Sequence, residues 1–297
     1  MISRVTQGSF VRDLLRGLGR LEKRIADAQG DLSSGKHVRE PSDDPSGVER
    51  ASRLRVESRE LAALRESFSF ATSVLGLQDA TLDQAEGLLS RAQEIAAQHA
   101  SGLSTTDARQ QVAIEVADIE RALLTLANTS FDGRYVFAGL TSGPTPPFLQ
   151  LDDPGFDPLD PYSGPSQSFA LRAATDETMR LTTPGDLVFG PAIAAIDELR
   201  ATLAAGGVPA SSFEALDQAT DVLTAERASI GARARRVEEG VVDVQSTLLR
   251  AAERIAAIEE AEVTEVVTEL TRLQAALQAT LESGRVLQSS ILDHIRF

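Results

Sequence analysis

The chain has 297 residues, and its 42% hydrophobic share is enough to cover a sizeable core. Trp is absent, there are 2 Tyr and aromatic residues make up only 4%, so the apolar share is mostly aliphatic, as in long packed helices. A formal net charge of −15 and a pI near 4.7 argue against nucleic acid and anionic membranes as partners, since both bind through dense positive charge. With no cysteine, disulfides, thiolate catalysis and cysteine-ligated metals are excluded.

The opening Met-Ile-Ser-Arg-Val-Thr-Gln-Gly has no basic segment followed by an apolar stretch, and no apolar run approaches the ~18 residues of a membrane span. No membrane contact is expected, and any export is expected to use a route other than a cleaved leader. Next, Val11, Leu14, Leu18, Leu21, Ile25, Ala28 and Leu32 alternate spacings of three and four, the seam of a coiled coil. After a loop over Ser34 to Asp43, the same alternation resumes through Leu61, Leu64, Phe68, Ala71, Leu75, Gln78, Leu82, Ala85, Leu89, Ala92, Ala96 and His99. It predicts a helix from about Pro45 to Ala100. A third helix is expected after Ser104-Thr105-Thr106-Asp107, with Val112, Val116, Ile119, Leu123 and Leu126 on one stripe.

Nine of the twelve prolines, both tyrosines and six of the eleven phenylalanines lie between Phe131 and Pro191. Short β-type runs punctuate this stretch at Arg134 to Ala138, Ser168 to Arg172, Thr178 to Thr182 and Leu187 to Phe189. Helical periodicity then returns through Ile230, Ala234, Val237, Val241, Val244, Leu248, Ala251, Ile255 and Ile258. Glu259-Glu260-Ala261-Glu262 interrupts the register, and a new one runs through Val266, Leu270, Leu273, Leu277, Leu287 and Ile291.

The expected fold is mainly α: a long antiparallel helical bundle or coiled-coil rod from the two ends of the chain, with a small β-rich domain inserted in the middle. Residues 1–44 with 265–297 are read as terminal assembly arms, 45–133 with 191–264 as the helical rod, and 134–190 as a β-rich outer domain. The assembly seam comprises Val11, Leu14, Leu18, Leu21, Ile25, Leu32, Leu270, Leu273, Leu277, Leu287 and Ile291. The N-terminal arm is basic on balance, with Arg4, Arg12, Arg16, Arg20, Lys23 and Arg24 against Asp13, Glu22 and Asp27. Glu238, Glu239, Glu253, Glu259, Glu260, Glu262, Glu265 and Glu269 are read mostly as a solvated face. Opposite signs on the two arms favour pairing, within one subunit or between neighbours.

No catalytic residue, cofactor or metal is assigned. His37, His99 and His294 fall in three separate segments, and neither a phosphate-cradling loop after a strand nor a nucleophile elbow is present. Asp43 and Asp44 are read as capping acids rather than metal ligands. Periodicity and acidity alone also fit a cytosolic coiled-coil scaffold.

One segment goes further. Leu32-Ser33-Ser34-Gly35-Lys36, with Asp43-Asp44-Pro45 following, resembles the signature shared by bacterial flagellins and hook-associated proteins. Physically, Gly35 suits the left-handed position that ends one helix, Asp44 can cap the next, and Pro45 fits its first turn. The segment with Ala127, Asn128, Gly133, Arg134, Tyr135, Phe137 and Gly139, together with the later Pro147-Phe148, is similar to the hook–filament junction branch of that family. Ile258-Glu259-Glu260-Ala261-Glu262 and the Ser289 to Ile295 segment resemble its C-terminal motifs, whereas Leu149 to Gln167 resembles nothing in it. His294, Arg296 and Phe297 depart from its usual ending.

The resemblance implies a non-enzymatic structural subunit of the bacterial flagellum that assembles helically between hook and filament. It implies as partners a K-type hook-associated protein, flagellin, further copies of the chain, and an export chaperone at the C-terminal helix, with no nucleic acid and no membrane. The implied location is outside the cell, after export through the flagellar type III apparatus. Flagellin itself, the filament subunit, is the alternative within the family.

Overall fold

The computed structural model describes residues 2–100, 105–140, 145–165, 167–172 and 178–295, with side chains at 2–11 and 287–295 lying outside the description. Six helices dominate these residues: α1 (Ile2–Ser34), α2 (Pro45–Gln98), α3 (Thr106–Ala127), α4 (Gly185–Ala205), α5 (Ala210–Glu259) and α6 (Val263–Ile295). No described helix is long and apolar enough to cross a membrane. Cα proximity divides the chain into two compact units, Met1–Arg59 with Leu248–Phe297, and Glu60–Thr247.

In the second unit the predicted seam of α2 is the core. Phe68, Ala71, Leu75, Leu82, Ala85, Leu89, Ala92 and Ala96 are buried, as are Leu216, Leu223, Ile230, Val237 and Val244 of α5. Polar contacts set the pairing of these two helices: Arg227 Nε lies 3.1 Å from Asp79, its Nη1 reaches Glu86 at 2.6 Å, and Gln93 donates to Asp217 at 2.9 Å. Helix α3 is capped by Thr105, whose hydroxyl accepts from the Ala108 N–H. It packs against α4, burying Leu123 and Leu124 on one side and Ile193, Ile196 and Leu199 on the other.

The connection between α3 and α4 is less β-rich than expected. Among the described residues it holds two antiparallel hairpins, β1 (Ser130–Phe131) with β2 (Arg134–Tyr135) and β3 (Ala170–Arg172) with β4 (Thr178–Arg180), and an isolated bridge between Phe148 and Tyr162. The first hairpin turns through Asp132 (φ 50°) and Gly133 (φ 73°), the positive-φ pair that matches the twist of a two-residue hairpin.

An aromatic cluster, rather than a sheet, is the core of this region. Phe137 and Phe189 meet edge to face with centroids 4.9 Å apart, and Phe148 contacts Tyr162 at 5.1 Å and Phe189 at 6.1 Å. Leu187 to Phe189, expected as a strand, belongs to α4 instead. Val188, Phe189, Ala192, Ile193 and Ile196 form a helical apolar stripe that the short window around Pro184 and Pro191 obscures.

Candidate assembly site

The first unit pairs the two ends of the chain. Helices α1 and α6 run antiparallel: Arg24 is ion-paired with Glu269, and a Cβ built on Gly284 would stand 3.6 Å from Leu14 Cδ2. Within the predicted seam Leu14, Leu18, Leu21, Ile25, Leu270 and Leu277 are half-buried, while Ala28 and Leu273 are buried. Leu32 is less covered within the chain than its seam neighbours. It is 40% exposed, and Asp31 is buried in its place, accepting from His37 Nδ1 at 3.1 Å and pairing with Arg39 Nε at 3.3 Å. At Val11, Leu287 and Ile291 the backbone is helical, but their side chains lie outside the described residues.

A two-helix pair can bury only one stripe of each partner. Leu15 at 62% exposure and Val286 at 68% therefore face away from the seam, and Val263, Val267 and Leu281 are exposed as well. A groove of about 850 Å³ runs beside the pair, lined by Arg24, Asp27, Asp31, Glu265, Glu269 and Arg272 among others.

The turn between α1 and α2 follows the local chemistry expected of it. Ser33 and Ser34 hydroxyls donate to the Gly30 carbonyl, and Gly35 (φ 68°) ends the helix with its N–H on the Asp31 carbonyl at 2.8 Å. Asp43 accepts the N–H groups of Glu40 at 2.8 Å and Arg39 at 3.0 Å. Asp44 precedes Pro45, the first residue of α2, and accepts from the Gly47 N–H and the Ser46 hydroxyl. Backbone donors hold both carboxyls below the usual carboxylate range, the Glu40 N–H foremost for Asp43 and the Gly47 N–H foremost for Asp44.

Sequence reasoning misses Glu259. It is the last residue of α5, at the interrupted register, and by its acidic neighbours it reads as part of a solvated face. Instead its side chain is 12% exposed, with Lys36 Nζ 3.5 Å from Oε2 and Arg55 on Oε1. Its carbonyl accepts the His37 N–H at 2.8 Å, and the Ala261 N–H donates to the Gly35 carbonyl at 3.0 Å. The two inter-helix breaks are thus stitched together. The signal available in the sequence is its place directly after Ile258, where a seam ends in an acid; nothing local points to Arg55.

The second motif is structural. Asn128 clamps the Phe148 peptide, donating from Nδ2 to its carbonyl at 2.9 Å and accepting its N–H at 3.0 Å. Ala127 is buried and Phe137 sits in the aromatic cluster. Arg134 and Tyr135 form β2 after the Gly133 turn, while Gly139 (φ 62°) approaches the carbonyls of Pro165 and Gln167. The Gln78 side chain donates to the Val136 carbonyl at 3.1 Å, which ties this segment to α2. Among the described residues no three of His, Cys, Asp and Glu converge as a metal site would require.

Residues 12–142 match the family model described as the bacterial flagellin N-terminal helical region. Over 289 residues, 95% of this chain and 96% of the relative, the sequence is 24% identical to flagellin FlaB1 of Treponema pallidum. Both matches are to flagellins, and the chain resembles that family over nearly its whole length. It is also 29% identical, over 159 residues and 53% of its length, to flagellar hook-associated protein 3 of Escherichia coli, and that match spans 48% of the relative, about half its length. A solved structure of a hook-associated protein from Vibrio parahaemolyticus shares the fold at a TM-score of 0.59 and 17% identity, covering 73% of this chain and 100% of that one.

Proposed function

We propose that the protein is the subunit that joins hook to filament in a bacterial flagellum, assembling helically with a K-type hook-associated protein on one side and flagellin on the other. The observation that carries an assembly role is the α1–α6 pair, in which Leu14, Leu18, Leu21, Leu270 and Leu277 are only half-buried and Leu15, Leu281 and Val286 are exposed. Apolar stripes left over by a two-helix pair are covered when further copies stack, so ordering and burial are completed by assembly. Opposite charge on the arms, expressed in the Arg24–Glu269 pair, selects orientation more than it adds affinity.

The junction reading over filament flagellin rests on the stretch from Ala127 to Phe148, whose turn, clamp and aromatic residues resemble the junction branch. The similarity to hook-associated protein 3 of Escherichia coli and, at 33% over 119 residues, of Salmonella typhimurium supports it. In this reading the protein works outside the cell, leaves through the flagellar type III apparatus, and is held before export by a chaperone on α6. It performs no catalysis.

Deleting the gene in the source bacterium tests the reading. The expected result is intact hooks, no filaments, and flagellin shed into the medium, restored by the full chain. Hooks that carry junction proteins but lack any flagellin product overturn it in favour of a filament subunit.

A further inference from the structure

Glu120 lies within α3 with its side chain fully buried against α4. Its Oε2 is ion-paired at 3.2 Å with Arg200 Nε but without hydrogen-bond geometry, and among the described residues neither carboxylate oxygen has a hydrogen-bonding partner. Arg200 is shared, because its Nη2 holds Asp197 one turn away on α4. Arg200 therefore faces two carboxylates. On α3 itself, Arg121 is engaged at the surface by Asp118 at 2.7 Å and Asp152 at 3.6 Å. Of the charges that α2 brings towards α3, Arg91 donates both to Glu115 on α3 and to Glu94 on its own helix.

We propose that Glu120 makes the α3–α4 joint pH-responsive, packing well as the neutral acid and weakening the joint when it ionises. A buried carboxylate without hydrogen bonds is costly, and the protonated form removes that charge while Arg200 keeps Asp197. Burial pushes the Glu120 carboxyl up to about 7; Arg200 pulls it back, Asp197 adds to the rise, and Arg121 lowers it to a smaller degree. The ordinary value is 4.5. Between these two values the folded joint holds a proton that the opened chain releases, so stability is full below about 4.5 and is lost as pH rises through about 7. This direction is opposite to that of a salt-bridged carboxylate.

The test is hydrogen exchange of the full chain at pH 5, 6, 7 and 8, corrected for intrinsic exchange, on wild type, E120Q and the exposed-site control D118N. The opening constant of α3 and α4 amides is expected to rise roughly ten- to a hundredfold from pH 5 to pH 8 in wild type and D118N, because each pH unit between the folded and opened titration midpoints is a factor of ten. In E120Q it should stay flat. An E120Q profile that tracks wild type overturns the proposal. A second measurement needs no variant: the Glu120 side-chain carboxyl carbon followed by NMR should titrate between pH 6 and 8, and a midpoint below pH 5 overturns it equally.

Discussion

Lys36, in the first inter-helix turn, reaches Glu259, 223 residues later, with Nζ 3.5 Å from Oε2, and Arg55 holds the other oxygen of the same carboxylate. Glu259 is thus the residue on which the breaks at Gly35 and Glu260 converge. Removing one carboxylate leaves two half-exposed cations facing each other, and E259Q is expected to destabilise the chain by about 1 to 3 kcal/mol. Urea unfolding followed by circular dichroism checks this. The same change at exposed Glu253 serves as control and should move the midpoint very little.

The seam leucines are expected to divide into two kinds. Leu273 is 4% exposed within the chain itself, whereas Leu270 and Leu277 are half-buried. L273A should therefore lower subunit stability by about 2 to 4 kcal/mol. L270A and L277A should leave the melting temperature nearly unchanged and act on filament attachment in a complemented deletion strain, because surface covered by partners contributes through binding. If all three alanine variants melt alike, the half-buried positions are not reserved for assembly.

Two glycines with similar backbone angles should respond unequally. A side chain at Gly133 meets open space, so G133A costs only its left-handed strain, about 1 to 2 kcal/mol. At Gly139 a Cβ would collide with the backbone carbonyls of Gln167 and Pro165, the latter 2.6 Å away, and neither is a flexible side-chain end that can swing aside. G139A is expected to cost at least twice as much as G133A, measured side by side by thermal melts. Equal costs would mean that the Pro165 and Gln167 carbonyls yield freely.

Acid should release the turn ahead of α2. Asp43 and Asp44 have carboxyls lowered from 3.8 by backbone donors, so the stability they confer is fully present above that value and is lost as pH falls through their lowered folded values. The D43N/D44N double variant should match wild type more closely at pH 2.5 than at pH 6, read as the difference in melting temperature. A constant difference across that range removes their ionisation from the account.

How much of this was legible in the sequence depends on distance along the chain. Gly35, Asp44 and Pro45 act on groups within a few residues, so helix-ending and capping chemistry located the first turn. The alternation from Leu61 to Ala96 likewise marked the buried face of α2, because a helix repeats its geometry whatever covers it. The interruption at Glu259 to Glu262 appears as the boundary between α5 and α6 for the same reason.

Tertiary structure decided what depends on a partner far away in sequence. Leu32 continues the seam by spacing, yet Asp31 takes the covered position because His37 and Arg39 turn back onto it. Leu187 to Phe189 suit a strand by composition and become helix because Phe137 and Phe148 receive Phe189. Glu259 and Glu120 look like any other acids on long acidic helices. One is claimed by Lys36 and Arg55 and the other is sealed between α3 and α4, since burial and charge pairing are set by which faces meet, and periodicity specifies a face without naming what will cover it.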